Sequence, residues 1–180
     1  MARYAMVIDL ELCLGCAACV TACQVKNELG PRRSRARVAE VASRKGARLH
    51  LNFYSERCNH CADAPCVRNC PTGASHYAEA GLVSINRSRC TGCQACIAAC
   101  PYSARYISAE GYADKCDFCG GREPACVANC PSSAMYFGDL DSPASEVARL
   151  LKTRKSRVPR PESGTRPHVF YLTSRKQERA

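Results

Sequence analysis

The sequence predicts a small α+β fold built from two interleaved halves with pseudo-twofold symmetry, followed by a C-terminal arm. Three observations predict it. Sixteen cysteines fall into four regularly spaced quartets, with none left over. Large apolar side chains are scarce, with no Trp, four Phe and three Met in 180 residues, and the 46% hydrophobic fraction counts the cysteines. A conventional core would be thin, and small domains in that position are held by bound metal in place of buried area. Finally, the segments between quartets are short and carry the signals of brief strands and helix starts.

The first quartet is Cys13, Cys16, Cys19 and Cys23, spaced C-x2-C-x2-C-x3-C. Cys58, Cys61, Cys66 and Cys70 are spaced C-x2-C-x4-C-x3-C. Cys90, Cys93, Cys96 and Cys100 repeat the first pattern, and Cys116, Cys119, Cys126 and Cys130 are spaced C-x2-C-x6-C-x3-C. Pro71, Pro101 and Pro131 follow the last three quartets directly. Three thiolates on one short loop can grip three corners of an iron–sulfur cube. The fourth, at a helix start, ligates the other cluster in two-cluster ferredoxins. Proline fixes φ and removes a donor, which suits a first helical turn. Quartets must therefore come in pairs. Structural zinc uses two distant C-x2-C pairs and lacks the C-x3-C-P tail. A disulfide scaffold explains an even count but not four near-copies of one ferredoxin signature.

Taken in order, Tyr4–Asp9 reads as a strand entering the first loop, and residues 15–28 as loop then helix. Residues 31–48 read as a basic connector with seven Lys or Arg. Leu49–Tyr54 reads as a short strand. Residues 74–77 and 82–85 form a hairpin around Glu79–Gly81. Residues 106–108 and Met135–Phe137 return as strands, and residues 147–151 form a short helix. The rest, to Ala180, reads as an extended basic arm whose apolar run Val169–Leu172 docks on something. Residues 56–108 thus make a contiguous inner ferredoxin-like half that pairs quartets two and three. Residues 1–55 and 109–141 make the outer half, pairing quartets one and four by elimination. Residues 142–180 are the docking arm.

The formal charge of +10 invites a nucleic-acid reading. Four clusters at about −2 each, with their thiolates, would leave about +2, so much of the excess base is counter-charge. No nucleic-acid partner is expected. No stretch approaches the roughly 20 apolar residues of a membrane span, and residues 1–12 do not read as a secretory signal.

The stretches MVIDLELCLGCAACVTACQVKNE, RCNHCADAPCVRNCPTGAS, CTGCQACIAACPYSARYI, GYADKCDFC and ACVANCP with FGDL resemble the four-cluster iron–sulfur subunits of molybdopterin oxidoreductases. These include polysulfide, thiosulfate, dimethyl sulfoxide, arsenate and tetrathionate reductases, and GTRPHVFYL looks most like the polysulfide and thiosulfate members. The resemblance implies four 4Fe–4S clusters. Cys13, Cys16, Cys19 and Cys130 would hold cluster 1, and Cys23, Cys116, Cys119 and Cys126 cluster 2. Cys58, Cys61, Cys66 and Cys100 would hold cluster 3, and Cys70, Cys90, Cys93 and Cys96 cluster 4. Some relatives place Trp at one ligand of the third quartet, whereas Cys96 is present here. One departure is the six-residue stretch between Cys119 and Cys126, where relatives usually carry a longer loop.

The resemblance further implies a non-catalytic electron-transfer subunit of a peripheral membrane complex. Its partners would be a membrane anchor with a quinone site and a catalytic subunit with a molybdenum or tungsten bis-pterin centre. A periplasmic face by co-export with a twin-arginine partner is expected, with the cytoplasmic face as the alternative. A freestanding soluble polyferredoxin and a basic metal-bearing nucleic-acid binder are the competing functions; the arm favours the complex subunit. No catalytic constellation stands out. His60 reads as a loop residue beside a complete quartet, Lys115 and Arg105 as cations that tune cluster charge, Tyr102 and Tyr106 as packing, and Asp9 and Glu11 as structural.

Overall fold

The computed structural model describes residues 2–31 and 33–173. Strand β1, Tyr4–Asp9, falls where the sequence places it. Its Ala5, Met6, Val7 and Ile8 are all fully buried, so both faces are covered. Met6 and Ile8 join a cluster with Phe118, Met135 and Val169. Ala5 and Val7 face the other way, onto Val147 and Leu172. Helix α1, Ala18–Lys26, follows the first cysteine loop, with Lys26 in its last turn where the helix dipole favours a cation.

The connector expected over residues 31–48 is instead a long hairpin. Strands β2, Ala36–Lys45, and β3, Arg48–Arg57, pair antiparallel over their full length, from Ala36↔Arg57 to Lys45↔Arg48. The Ala- and Arg-rich composition of β2 has little intrinsic strand preference. Pairing with β3 overrides that preference. The distal end stands in solvent, and Val41, Leu49 and Leu51 are exposed there. The base is buried and brings Ser55 and Arg57 inward.

Three short helices, α2 (Pro65–Arg68), α3 (Ala95–Ala98) and α4 (Ala125–Ala128), each carry the third cysteine of a quartet. Helix α1 packs on α4, and α2 on α3. Strands β4, Ser75–Tyr77, and β5, Val83–Ile85, make the expected hairpin around Glu79–Gly81. Strand β6, Tyr106–Ile107, pairs with β7, Ala113–Asp114, which the sequence did not signal. Strand β8, Met135–Asp139, returns antiparallel to β1.

Residues 142–173 are not an extended arm. They form helix α5, Glu146–Thr153, then β9, Ser156–Arg157, and β10, Val169–Leu172. Strand β10 lies parallel to β1, from Met6↔Val169 to Asp9↔Leu172, giving a four-stranded sheet in the order β8-β1-β10-β9. The apolar run thus docks on the chain's own first strand. Arg154 clamps the return by pairing with Asp9 and, at 3.2 Å, with Glu11. The end of the expected arm, residues 174–180, lies outside the described residues.

Leu172 is fully buried between β1 and α5. Leu172→Ala should cost about 2–5 kcal/mol through lost transfer and an unfilled cavity. Guanidinium unfolding of the anaerobic holoprotein, followed by circular dichroism, measures it.

Candidate metal centres

The cysteine loops are coiled by left-handed residues. Quartets one and three share one backbone pattern, with positive φ at Gly15 and Ala17 in the first and at Gly92 and Gln94 in the third. Quartets two and four share another, with positive φ at His60 in one and at Phe118 and Cys119 in the other. The turns after the C-P pairs repeat as well. Gly73, Ser103 and Ser133 all have positive φ, and their N–H groups donate to the carbonyls of Cys70, Cys100 and Cys130 at 3.2, 3.2 and 3.1 Å. Two of these turns aim a backbone donor at sulfur: Ser75 N–H at Cys70 Sγ and Ala134 N–H at Cys130 Sγ, each 3.3 Å. Ala113 N–H reaches Cys90 Sγ at 3.4 Å.

These loops gather the thiols across quartet boundaries. Cys13 faces the charges of Cys19, Cys130 and Cys16. Cys23 faces Cys126 and Cys119, and Cys116 faces Cys58 and Cys126. Cys61 faces Cys58, Cys66 and Cys100. Cys70, Cys90, Cys93 and Cys96 line one cavity with Ser75 and Arg105. The neighbourhoods also lie within electrostatic reach of one another, Cys126 of Cys19 and Cys116 of Cys58. A cubane takes one thiolate at each corner iron, so its cysteines surround a cage. Among the described residues no three Cys, His, Asp or Glu converge on the site of a single ion.

Burial raises the thiols of Cys13, Cys66, Cys116 and Cys126, and pushes Cys23 up to about 11 and Cys61 up to about 12. Cys70 runs the other way: burial raises it, and donors on Ser75 and Thr72 outweigh that. Most of these thiols are therefore neutral until metal displaces their protons.

Buried cations fit the negative charge that follows. Arg57, Arg105 and Lys115 are 4%, 5% and 3% exposed. Arg57 Nη1 donates to Cys126 Sγ at 3.0 Å, while its Nε, and Nε and Nη1 of Arg105, meet no hydrogen-bond partner among the described residues. Buried cations and orphaned donors are costly without an anionic acceptor nearby. Thiolate-bound clusters supply such acceptors, so the residues present suit them. Lys115 Nζ donates to the Cys116 carbonyl at 2.8 Å. The sequence singled out Lys115 and Arg105 but missed Arg57, although Arg57 precedes Cys58 just as Lys115 precedes Cys116.

His60 is fully buried and both ring nitrogens are engaged. Nδ1 accepts from Val83 N–H at 3.0 Å, so Nε2 donates to the Cys116 carbonyl at 3.1 Å. Burial and the Lys115 charge hold it neutral. It stacks on Phe118, its positional counterpart in quartet four, with centroids 4.0 Å apart. The Tyr102 hydroxyl bonds to Thr165, and that of Tyr106 donates to Asp114 at 2.6 Å. Asp114 is itself paired with buried Arg35 at 2.8 and 2.9 Å. These are packing roles.

Residues 49–140 match the 4Fe-4S dicluster domain family, and residues 6–26 match the 4Fe-4S binding domain family. This protein belongs to the 4Fe-4S dicluster family. The chain is 42% identical to a subunit of tetrathionate reductase from Salmonella typhimurium, over 94% of its own length and 72% of that relative. It is 39% identical to a component of polysulfide reductase from Wolinella succinogenes, over 97% of its own length and 96% of the relative. It is 44% identical to the thiosulfate reductase electron transfer subunit PhsB of Salmonella typhi over 83% and 81%. The two family matches and the sixteen cysteines make the chain a carrier of 4Fe–4S clusters, an electron-transfer subunit with no catalytic role of its own. No helix among its described residues is long and apolar enough to cross a membrane.

At Gly92, φ is +68°, and a Cβ would collide with the Gly111 carbonyl oxygen. Gly92→Ala should therefore deform the Cys90–Cys96 loop and lower the iron content by one cluster, to about twelve from about sixteen per chain. Iron and acid-labile sulfide analysis of the anaerobically purified variant reads this directly.

Proposed function

We propose that the chain relays single electrons through four 4Fe–4S clusters, between a membrane anchor with a quinone site and a molybdopterin catalytic subunit of a sulfur-compound reductase. Cluster 1 is held by Cys13, Cys16, Cys19 and Cys130, and cluster 2 by Cys23, Cys116, Cys119 and Cys126. Cluster 3 is held by Cys58, Cys61, Cys66 and Cys100, and cluster 4 by Cys70, Cys90, Cys93 and Cys96. An outer half, residues 1–55 and 109–141, encloses an inner half, residues 56–108, about an approximate twofold. The complex sits at the periplasmic face through co-export with a twin-arginine partner.

The observation that carries this reading is the serial arrangement of the thiol neighbourhoods. Cys126 lies within electrostatic reach of Cys19, and Cys116 of Cys58, which relates the first neighbourhood to the second and the second to the third. The two exposed cysteines, Cys16 and Cys93, belong to the first and last clusters of the series. That suits entry at one end and exit at the other. Beside Cys16 in the first cysteine loop, Leu12 and Leu14 are 41% and 65% exposed. Exposed apolar groups clustered at one place suit a protein partner. The repeated backbone of quartets one and three, and of two and four, supports the twofold. When bound, the clusters supply one-electron capacity. The chain's own residues hold the sulfurs, limit water and set the local charge.

Anaerobic purification from the native membrane tests the proposal. Iron and acid-labile sulfide of about sixteen each per chain, interacting cluster signals by low-temperature electron paramagnetic resonance (EPR), and a co-purifying pterin-containing large subunit are expected. Zinc in place of iron would overturn the cofactors. Four clusters on a solitary chain would replace the complex with a soluble shuttle. Cys96→Ser should impair one cluster, and an unchanged iron content and unchanged spectra would sink the ligand assignment.

A further inference from the structure

Strand β3 places two inward side chains among the sulfurs. Ser55 and Arg57 are two positions apart, so they leave the strand on the same face. Ser55 is 1% exposed, and its backbone carbonyl accepts from the Tyr171 hydroxyl at 3.2 Å, which ties it to β10. The Ser55 hydroxyl lies 3.2 Å from Cys19 Sγ. Arg57 Nη2 donates to that same hydroxyl, while Nη1 donates to Cys126 Sγ at 3.0 Å. An unbroken path of hydrogen bonds therefore runs from the Cys19 sulfur through Ser55 and Arg57 to the Cys126 sulfur. The ionisable groups that act most strongly on the guanidinium are Cys126, Cys116, Cys19 and Tyr171.

We propose that Arg57 is a redox-tuning cation shared by two clusters, bonded directly to the Cys126 thiolate and through Ser55 to the Cys19 thiolate, which raises the reduction potential of both. This rests on the ligand reading above, in which Cys19 serves cluster 1 and Cys126 cluster 2. Reduction adds one electron to a cluster, and the donor, a neighbouring cluster or a chemical reductant, loses one. The cluster and its thiolates go from about −2 to about −3. A fixed positive charge stabilises the more negative form, and burial keeps water and salt from screening it. Hydrogen bonds to the sulfurs act in the same direction. Arginine suits the role because its fork donates to two acceptors at once and keeps its charge.

The inner pair of quartets has a matching couple. Arg105 Nη2 donates to Ser75 Oγ at 2.9 Å, and Ser75 N–H donates to Cys70 Sγ at 3.3 Å. The thiols that act most strongly on Arg105 are Cys66, Cys58 and Cys96. The pair of clusters 1 and 2 and the pair of clusters 3 and 4 thus each have one buried arginine and one serine relay. The arginine of the outer pair comes from the hairpin, which gives the base of that hairpin an electronic role beside its structural one.

The test is a redox titration with dithionite, followed by EPR, on the complex carrying Arg57→Gln, Arg57→Lys or Ser55→Ala in the full chain. Cys19→Ser and Cys126→Ser identify which signals belong to the two clusters. Arg57→Gln should retain full iron and shift the reduction equilibria of those two clusters at least about tenfold toward the oxidised form, about 59 mV for one electron. The other two clusters should not move. Arg57→Lys, which keeps the charge, should recover most of the shift, and Ser55→Ala should shift only the Cys19 cluster, by less. Unchanged midpoints in Arg57→Gln at full iron content would overturn the proposal. So would equal shifts in Gln and Lys, which signal packing, or equal shifts of all four clusters, which signal general loosening. Should Arg57→Gln lose iron, Ser55→Ala decides, and an unmoved Cys19 cluster sinks the idea. A wrong ligand reading would look different: Cys19→Ser and Cys126→Ser would disturb the same signal.

Discussion

Concentrated negative charge is the constraint on which the rest of this structure depends. Sixteen thiols sit in one small chain, and metal binding converts them to thiolates around clusters that remain anionic. Such charge is stable inside a protein only if donors and cations meet it. The chain answers in two ways. Turns after the C-P pairs point backbone N–H groups at sulfur, as at Cys70 and Cys130. Buried side-chain cations, Arg57, Arg105 and Lys115, stand among the thiols. The high formal charge is therefore partly an internal feature, and a count of basic residues overstates what a polyanionic partner would meet.

A second consequence concerns how so thin a core holds together. Cysteines themselves occupy both central clusters: Cys19, Cys58, Cys116 and Cys126 in one, and Cys61, Cys66 and Cys96 in the other. Much of the interior is thus lined by ligands, and its cohesion depends on what they bind. Among the described residues, only the group of Ala5, Val7, Val147 and Leu172 is made wholly of ordinary apolar side chains. It lies on the far face of the four-stranded sheet, and β10 and α5 supply half of it. The segment from α5 to β10 is a structural closure that buttresses β1 from the side opposite the cysteines.

The sequence disclosed what is local and hid what is tertiary. The C-x2-C and C-x3-C-P spacings are contained in single loops, so every candidate ligand could be read off directly. Strand β1 was legible as a strand, although both of its faces are buried where alternation would expose one, and the β4–β5 hairpin was legible from the turn at Glu79–Gly81. The β2–β3 hairpin was not, because Ala36–Lys45 is rich in Ala and Arg and its turn at Gly46 lacks the usual Asn-Gly or Asp-Gly signal. The run Val169–Leu172 announced that it would be buried but not that β1, some 160 residues earlier in the sequence, would bury it. Arg57 was hidden for a related reason. A basic residue in a basic chain looks like solvated surface until the fold places it against Cys126.

The junction between the proposed halves is set by geometry in a way the cluster pairs are not. Within each pair, an arginine stands between sulfurs. At the junction, His60 and Phe118 occupy equivalent loop positions and stack face to face. His60 contributes no charge, since burial and the neighbouring Lys115 keep the second proton off. It contributes a fixed separation, because one nitrogen is held by Val83 N–H and the other holds the Cys116 carbonyl. The Cys58 and Cys116 loops are the ones that meet there, and they would carry the clusters in the middle of the series. Electron transfer along a series depends steeply on its distances, so the middle step requires a rigid spacer. A neutral, doubly hydrogen-bonded imidazole stacked on a buried phenyl ring meets that requirement, and it does so without altering the charge that the flanking cations set.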